Sequence, residues 1–354
     1  MKQNKTMRVV LEIVGAVLAV ILLYVVIRYW EQRDVQTGRE QNGTYADTQI
    51  QVSAEDEDVT IALGDRAYQM THPVKTYLFL GTDASGNEDA TGEDYRGSMA
   101  DTLMLLVIDE QEQTYGILQL NRDTITTVPL MQTDGSAYAS ADIQLCTAHW
   151  YGGDKKQSCE NTVNTVSDML GGLPIDGYFA LSMDAMDKLN EAVGGVTMTF
   201  TEDLTELDPA MEEGATLTLT DEQATKLMHT RMGMSDDRNE KRMERQRLFL
   251  DAFLAQVKEK QAKDSNFIID LYDSLHPYST EDINMNALTK LIKQMGSFTS
   301  KGTFTIDGKT KLGKKLGDGL DHWEFYMDKD SLDSTMNTLY PLTYVGVAEE
   351  EPEE

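Results

Sequence analysis

Positive charge is what this sequence has little of: 31 Lys and Arg stand against 60 Asp and Glu, a formal net charge of −29. Nucleic-acid phosphates repel such a surface unless a local basic patch overrides it, so nucleic acid is not an expected partner. Passive adhesion to anionic lipid is disfavoured for the same reason. A phosphate-bearing ligand then needs a concentrated cationic site, and the segment that offers one is residues 231–247. Cysteine is scarcer still, with Cys146 and Cys159 alone, and no spacing resembles a zinc site. The pair has two readings: a disulfide stabilising by roughly 3 kcal/mol in the chain-entropy model, or two free buried thiols. No internal repeat is visible. What is present is 40% hydrophobic residues, enough for a real core in a chain of 354 residues.

One long apolar run stands near the start. Residues 9–27 are almost unbroken hydrocarbon apart from Glu12, close to the length of about 20 residues that spans a bilayer. Arg28-Tyr29-Trp30 follows in place of a small-x-small cleavage site, so the run reads as an uncleaved transmembrane anchor. Residues 1–8 make a short cytoplasmic tail, residues 28–58 a flexible acidic stalk with a reach of roughly 30 Å, and residues 348–354 an acidic tail. Between them, residues 59–347 read as one domain lying outside the cytoplasm. Apolar runs at 76–80, 103–108, 115–120, 178–181 and 196–200 alternate with helical patterns at 160–170, 183–193, 239–260, 280–295 and 331–339. Thr220-Asp221-Glu222-Gln223 is a capping box opening one more helix. The expected fold is a single α/β layered domain, a central mixed sheet flanked by helices, behind one N-terminal transmembrane helix.

Chemistry gathers at the ends of the first three strands. Asp83 follows the first run, Asp101 enters the second, and Arg122-Asp123 follows the third. Carboxylates and arginines at strand ends suit magnesium-assisted phosphate chemistry. Taken singly, Asp83 is equally a turn residue and Asp101 a strand-start cap. Downstream, Arg238, Arg242 and Arg245 are spaced to share one helix face, and like charges so crowded make sense if that face meets an anion. Arg231 precedes the turn before that helix, and Gln246 adjoins the arginine face. His149, between Ala148 and Trp150-Tyr151, reads as part of a packed aromatic loop.

Seven short motifs occur in a familiar order. Leu80-Gly81-Thr82-Asp83, Asp101-Thr102-Leu103-Met104-Leu105, Leu120-Asn121-Arg122-Asp123-Thr124 and Tyr151-Gly152-Gly153 come first. Leu173-Pro174-Ile175-Asp176, Ala192-Val193-Gly194-Gly195-Val196 and the run from Arg231 to Arg242-Met243-Glu244-Arg245-Gln246 complete the set. Together they resemble the LytR-CpsA-Psr family of cell-envelope proteins over roughly residues 74–258. The resemblance implies a membrane-anchored phosphotransferase that moves a glycopolymer from a polyprenyl-pyrophosphate carrier to a peptidoglycan hydroxyl. It implies Mg2+ on Asp83 and Asp101, with Arg122, Arg231, Arg238, Arg242, Arg245, Gln246 and His229 binding substrate. Arg122, Asp123 and Arg231 would be nearest the reaction. The chain departs from the resembled pattern at Met99 and His229, where arginine is usual. Two alternatives keep the same site: a polyprenyl-pyrophosphate hydrolase, and a membrane-bound envelope regulator that binds lipid-linked precursors without catalysis.

Overall fold

The computed structural model describes residues 60–83, 91–230, 234, 238–264, 266–283 and 298–348. Strands β1 (Thr60–Leu63) and β2 (Arg66–Met70) form a hairpin that leads into three longer strands, β3 (Lys75–Thr82), β4 (Ala100–Asp109) and β5 (Thr114–Leu120). A hairpin of β6 (Ile125–Met131) and β7 (Ala137–Gln144) precedes helix α1 (Lys155–Met169), strand β8 (Gly177–Ser182) and helix α2 (Met186–Val193). The short strands β9 (Thr197–Thr199) and β10 (Thr216–Thr218) come before α3 (Asp221–His229), α4 (Asn239–Lys263) and α5 (Phe267–Leu275). The last described elements are β11 (Ser279–Asp282), β12 (Thr299–Thr305), the hairpin of β13 (Gly308–Gly313) and β14 (His322–Met327), α6 (Lys329–Leu339) and β15 (Leu342–Val347).

Six strands make the central sheet in the order β11-β8-β3-β4-β5-β12. The hairpin neighbours β3, β4 and β5 pair antiparallel, whereas β8 joins β3 and β12 joins β5 in parallel, so the sheet is mixed. The three middle strands read as continuous apolar runs because both of their faces are covered. Leu103, Leu105 and Val107 of β4 pack on one face with Val166 and Leu170 of α1 and Met336 and Leu339 of α6. Leu106 and Ile108 point the other way, into a cluster with Val193, Leu227, Phe249, Phe253 and Leu271 from α2 to α5. One sheet thus carries a packed layer on each side. This is the layered α/β arrangement with a mixed sheet that the alternating pattern predicts.

Local chemistry sets the helix ends. Asp154 accepts a hydrogen bond from the Gln157 amide at 2.8 Å, which starts α1 at Lys155, earlier than the apolar pattern predicts. Both halves of the Thr220/Gln223 capping box are present at α3. Gly194 ends α2 with φ of 82°, a conformation that favours glycine.

Several expectations need correction or lie out of view. The helix expected over 280–295 does not begin there: Ser279–Asp282 is strand β11, pairing antiparallel with β8. The free edge of β8 takes these four polar residues into its ladder, and tertiary pairing overrides the local pattern. Residues 284–297 lie outside the described residues. So do the anchor over 9–27, the stalk over 28–58, Arg231 and residues 349–354 of the tail. No helix among the described residues is long and apolar enough to cross a membrane. Cys146 and Cys159 are both free thiols and both buried, the second of the two readings.

Candidate functional site

The antiparallel ladder of β3 and β4 breaks at the site. Gly81 pairs with Thr102, but Thr82 pairs with Ala100, so Asp101 is the extra residue of a β-bulge. A bulge re-aims the side chain it carries, and the Asp101 carboxylate is received by two arginines. Nη1 of Arg122, just past the end of β5, donates to Oδ1. Nη1 of Arg242, from the first turns of α4, donates to Oδ2 at 2.9 Å, and its Nη2 reaches the Asp101 carbonyl at 3.4 Å. Arg242 is only 2% exposed. Its fork is held from behind by Asn239, whose Oδ1 accepts from Nε at 3.1 Å and from Nη2 at 2.8 Å. Asn239 in turn donates to Oδ1 of Asn121 at 2.9 Å.

Arg122 is buried among unusual neighbours. Nη2 donates to Sγ of Cys146 at 2.8 Å and to Sδ of Met99. Its Nε stands 3.6 Å from Oδ1 of Asp123 and is buried without a hydrogen-bond acceptor. Burial works against the Arg122 charge, but the Cys146 sulfur and the carboxylates of Asp101 and Asp123 outweigh it and raise the pKa above its ordinary value. Burial also pushes the Cys146 thiol up.

The other residues singled out from sequence separate into two groups. His229 is in the last turn of α3, near enough to the cluster for Asp101 and Asp83 both to act on it electrostatically. Burial nevertheless lowers its pKa below the ordinary value, and its Nε2 is buried without a partner among the described residues. Asp83 follows β3, and its amide donates to the Met99 carbonyl at 2.8 Å, across the ladder from the bulge. Arg245 points elsewhere. It is 2% exposed and donates to the carbonyls of Leu227 at 3.4 Å and Thr230 at 2.5 Å, fastening the end of α3 to α4. Arg238 is the exposed N-cap residue of α4, before its first turn. It therefore does not continue the helix face of Arg242, because the backbone there is extended.

A magnesium ion fits these carboxylates in one particular way. Among the described residues no three His, Cys, Asp or Glu side chains gather closely enough to cage a metal. Magnesium does not need that, since it commonly takes one or two carboxylates and completes its shell with substrate phosphate and water. Asp101 in the bulge and Asp83 across the ladder from it are the two carboxylates that would hold such an ion, and each Asp101 oxygen retains acceptor capacity beyond its arginine bond.

Two cavities flank the cluster, and neither is marked in the sequence. One, of about 170 Å³, lies between the sheet and α2, α3 and α4, lined by Phe79, Met104, Ile117, Phe179, Met186 and Leu250 among others. Its polar lining residues include Thr102, next to Asp101, and Ser182 and Gln246. Gln246 donates to the Met228 carbonyl at 3.3 Å while its Oε1 is buried without a donor. The other, of about 350 Å³, has a mixed polar and apolar lining and lies along the adjoining flank of α4, against Asn121 and the start of the β13–β14 hairpin.

Comparison with known proteins agrees with the fold and the motifs. The TagV structure from B. subtilis superposes with a TM-score of 0.54 at 22% identity, covering 76% of this chain and 97% of that one. Protein gbs0355 from Streptococcus agalactiae gives 0.57 at 18% identity over 75% and 86% of the two chains, and TagT bound to LI-WTA gives 0.51 at 18% over 79% and 99%. At these identities the likeness concerns the fold. The polyisoprenyl-teichoic acid–peptidoglycan teichoic acid transferase TagU of Halalkalibacterium halodurans is 29% identical over 165 residues, 46% of this chain and 49% of its own. Biofilm regulatory protein A of Streptococcus mutans is 26% identical over 241 residues, 66% of this chain and 56% of its own. The chain thus spans about half the length of these two curated relatives. The LytR_cpsA_psr family model matches residues 36–340, most of the chain. The protein is therefore a member of the LytR-CpsA-Psr family.

Proposed function

We propose that the protein transfers a glycopolymer from a polyprenyl-pyrophosphate carrier to a hydroxyl of peptidoglycan, releasing polyprenyl phosphate, from a position anchored outside the cell membrane by residues 9–27. One observation carries this reading: a buried Asp101-Arg122-Arg242 cluster stands beside an apolar cavity walled by the sheet and three helices. An isoprenoid tail needs the second, its pyrophosphate the first. The curated relative TagU bears the name of such a transferase.

The residues divide the work. Arg122 and Arg242 present preorganised donors in a site shielded from water, where charge developing on a phosphoryl oxygen is stabilised most. Asp101 and Asn239 hold those forks in place, and the pair Asp123 keeps Arg122 oriented. His229 can donate from a protonated ring when an anion stands nearby. Magnesium bound by Asp83 and Asp101 would supply charge neutralisation for the pyrophosphate. The apolar wall of Phe79, Met104, Ile117 and Leu250 would order the first isoprene units and so place the head group repeatedly in one position.

The test is incubation of the purified protein with a short polyprenyl-pyrophosphate oligosaccharide and peptidoglycan oligomers. A covalent glycan-peptidoglycan phosphodiester is expected. Free phosphosugar alone would select hydrolysis, and retention of lipid without any product would select a regulator; either result overturns transfer.

A further inference from the structure

We infer that the mixed-lined cavity on the adjoining flank of α4 is a binding site for one uncharged pyranose unit. The inference rests on the transfer reading for its place in the reaction, but its chemistry stands on the cavity itself. The volume, about 350 Å³, lies within the range of roughly 300–1,000 Å³ typical of small-molecule sites. Its walls alternate in kind. Gln119, Asn121, Glu240, Arg247 and Asp307 supply amides and charged groups, and Met243, Ile306 and Phe325 supply apolar surface. A sugar ring presents hydroxyls around its edge and C–H groups on its face, which is the complement of such a wall.

Charge narrows the class further. Two carboxylates against one guanidinium make the lining net negative, which repels a phosphate or a carboxylate ligand. The polar groups are also partly unsatisfied. Glu240 accepts a hydrogen bond from Thr310 on Oε1, while its Oε2 is buried with no donor. Among the described residues, the Asn121 side chain uses only its oxygen, accepting from Asn239 and from the Asp123 amide at 3.0 Å, which leaves its NH2 to donate. A hydroxyl can satisfy both kinds of group, as donor to Glu240 and as acceptor from Asn121.

The position ties this cavity to the reacting groups. Glu240, Met243 and Arg247 recur at helical spacing on one side of α4, and Gln246 and Leu250 line the apolar cavity on another. Asn121 links this cavity to Arg242 through Asn239, two side-chain hydrogen bonds away. Phe325 donates its amide to the Asp123 carbonyl at 2.8 Å, so the cavity floor is also fixed to the segment bearing Arg122.

The sugar has two conceivable sources, the acceptor glycan or the first unit of the donor, and the experiment separates them. Full-length protein is titrated with chitotetraose, an uncharged N-acetylglucosamine oligomer, by calorimetry, and separately with polyprenyl phosphate. Glu240→Ala weakens chitotetraose binding by about tenfold or more, and Asp307→Ala, at an exposed rim residue, weakens it severalfold. Polyprenyl phosphate affinity is unchanged in both variants. In steady state, a raised KM for peptidoglycan oligomers assigns the cavity to the acceptor, and a raised KM for the donor assigns it to the donor sugar. Wild-type protein that fails to bind chitotetraose, or variants that bind it equally well, overturn the site. Loss of polyprenyl phosphate binding by the wild type would instead count against the transfer reading and leave the sugar result standing.

Discussion

Asp101 holds two guanidinium groups in a place where water cannot replace it. Removing one partner of a buried charge network leaves the others uncompensated, at about 3–5 kcal/mol. Asp101→Asn is therefore expected to abolish transfer and also to lower the unfolding free energy by an amount of that order, measured by urea titration; an unchanged midpoint would show that the cluster is not closed in solution. His229 yields a second expectation, with the sign set by burial. Its pKa in the free protein is depressed, so it is neutral at pH 7 and an anion bound beside it must draw the proton on. Affinity for the pyrophosphate head group then rises as pH falls from 8 to 6, by at most about tenfold per pH unit. His229→Arg carries its charge throughout, so titrations of that variant should be tighter at pH 8 and flat across the range. Parallel curves would show that the ring does not touch the anion. Asp101, Arg122 and Arg242 were legible in the sequence because strand ends and a crowded arginine run mark them. Cys146 behind Arg122 and Asn239 behind Arg242 were not, since each contact depends on how separate elements pack.

At the level of elements, α4 carries most of the chemistry and one evident liability. Asp251 is half-buried on it, and burial pushes its pKa up to about 6 despite Arg247 nearby. A carboxyl whose folded pKa lies above its unfolded value contributes stability at low pH that is lost as pH rises through the folded value. The loss falls between about pH 4 and 6 here, and after discounting for partial exposure it amounts to about 1 kcal/mol. Asp251→Asn should recover that amount at pH 7 and nothing at pH 4, as read by denaturant unfolding at both. The hydrophobic period revealed α4 and the three middle strands, whose apolar runs are long and bounded. It concealed β11, a stretch of Ser-Thr-Glu-Asp with no strand pattern of its own, and both cavities, which are spaces between elements that no one element's sequence describes. The fastening of α3 to α4 by Arg245 was likewise hidden, because a buried arginine on carbonyls and one on phosphate look alike in a sequence.

For the whole molecule, the arrangement of the layers decides the order of events. The apolar cavity and the mixed-lined one lie on adjoining flanks of α4, as two separate spaces lined by different residues. If the sugar seated in the second cavity is the acceptor's, both substrates are held at once and the leaving lipid phosphate need not depart before the acceptor arrives. Initial-rate measurements with donor and acceptor both varied should accordingly give intersecting double-reciprocal lines, the mark of a ternary complex; parallel lines would mean that the glycan rests on the protein between two half-reactions. The placing of both cavities along a single helix has a further bearing on the timing of turnover. Arg242 and Asn239 belong to the same helix that walls both compartments, so filling one side is expected to be felt by the groups that serve the other. An idle carrier would then linger, uncleaved, until an acceptor strand reaches it, and a scarce precursor would be spared from being spent on water.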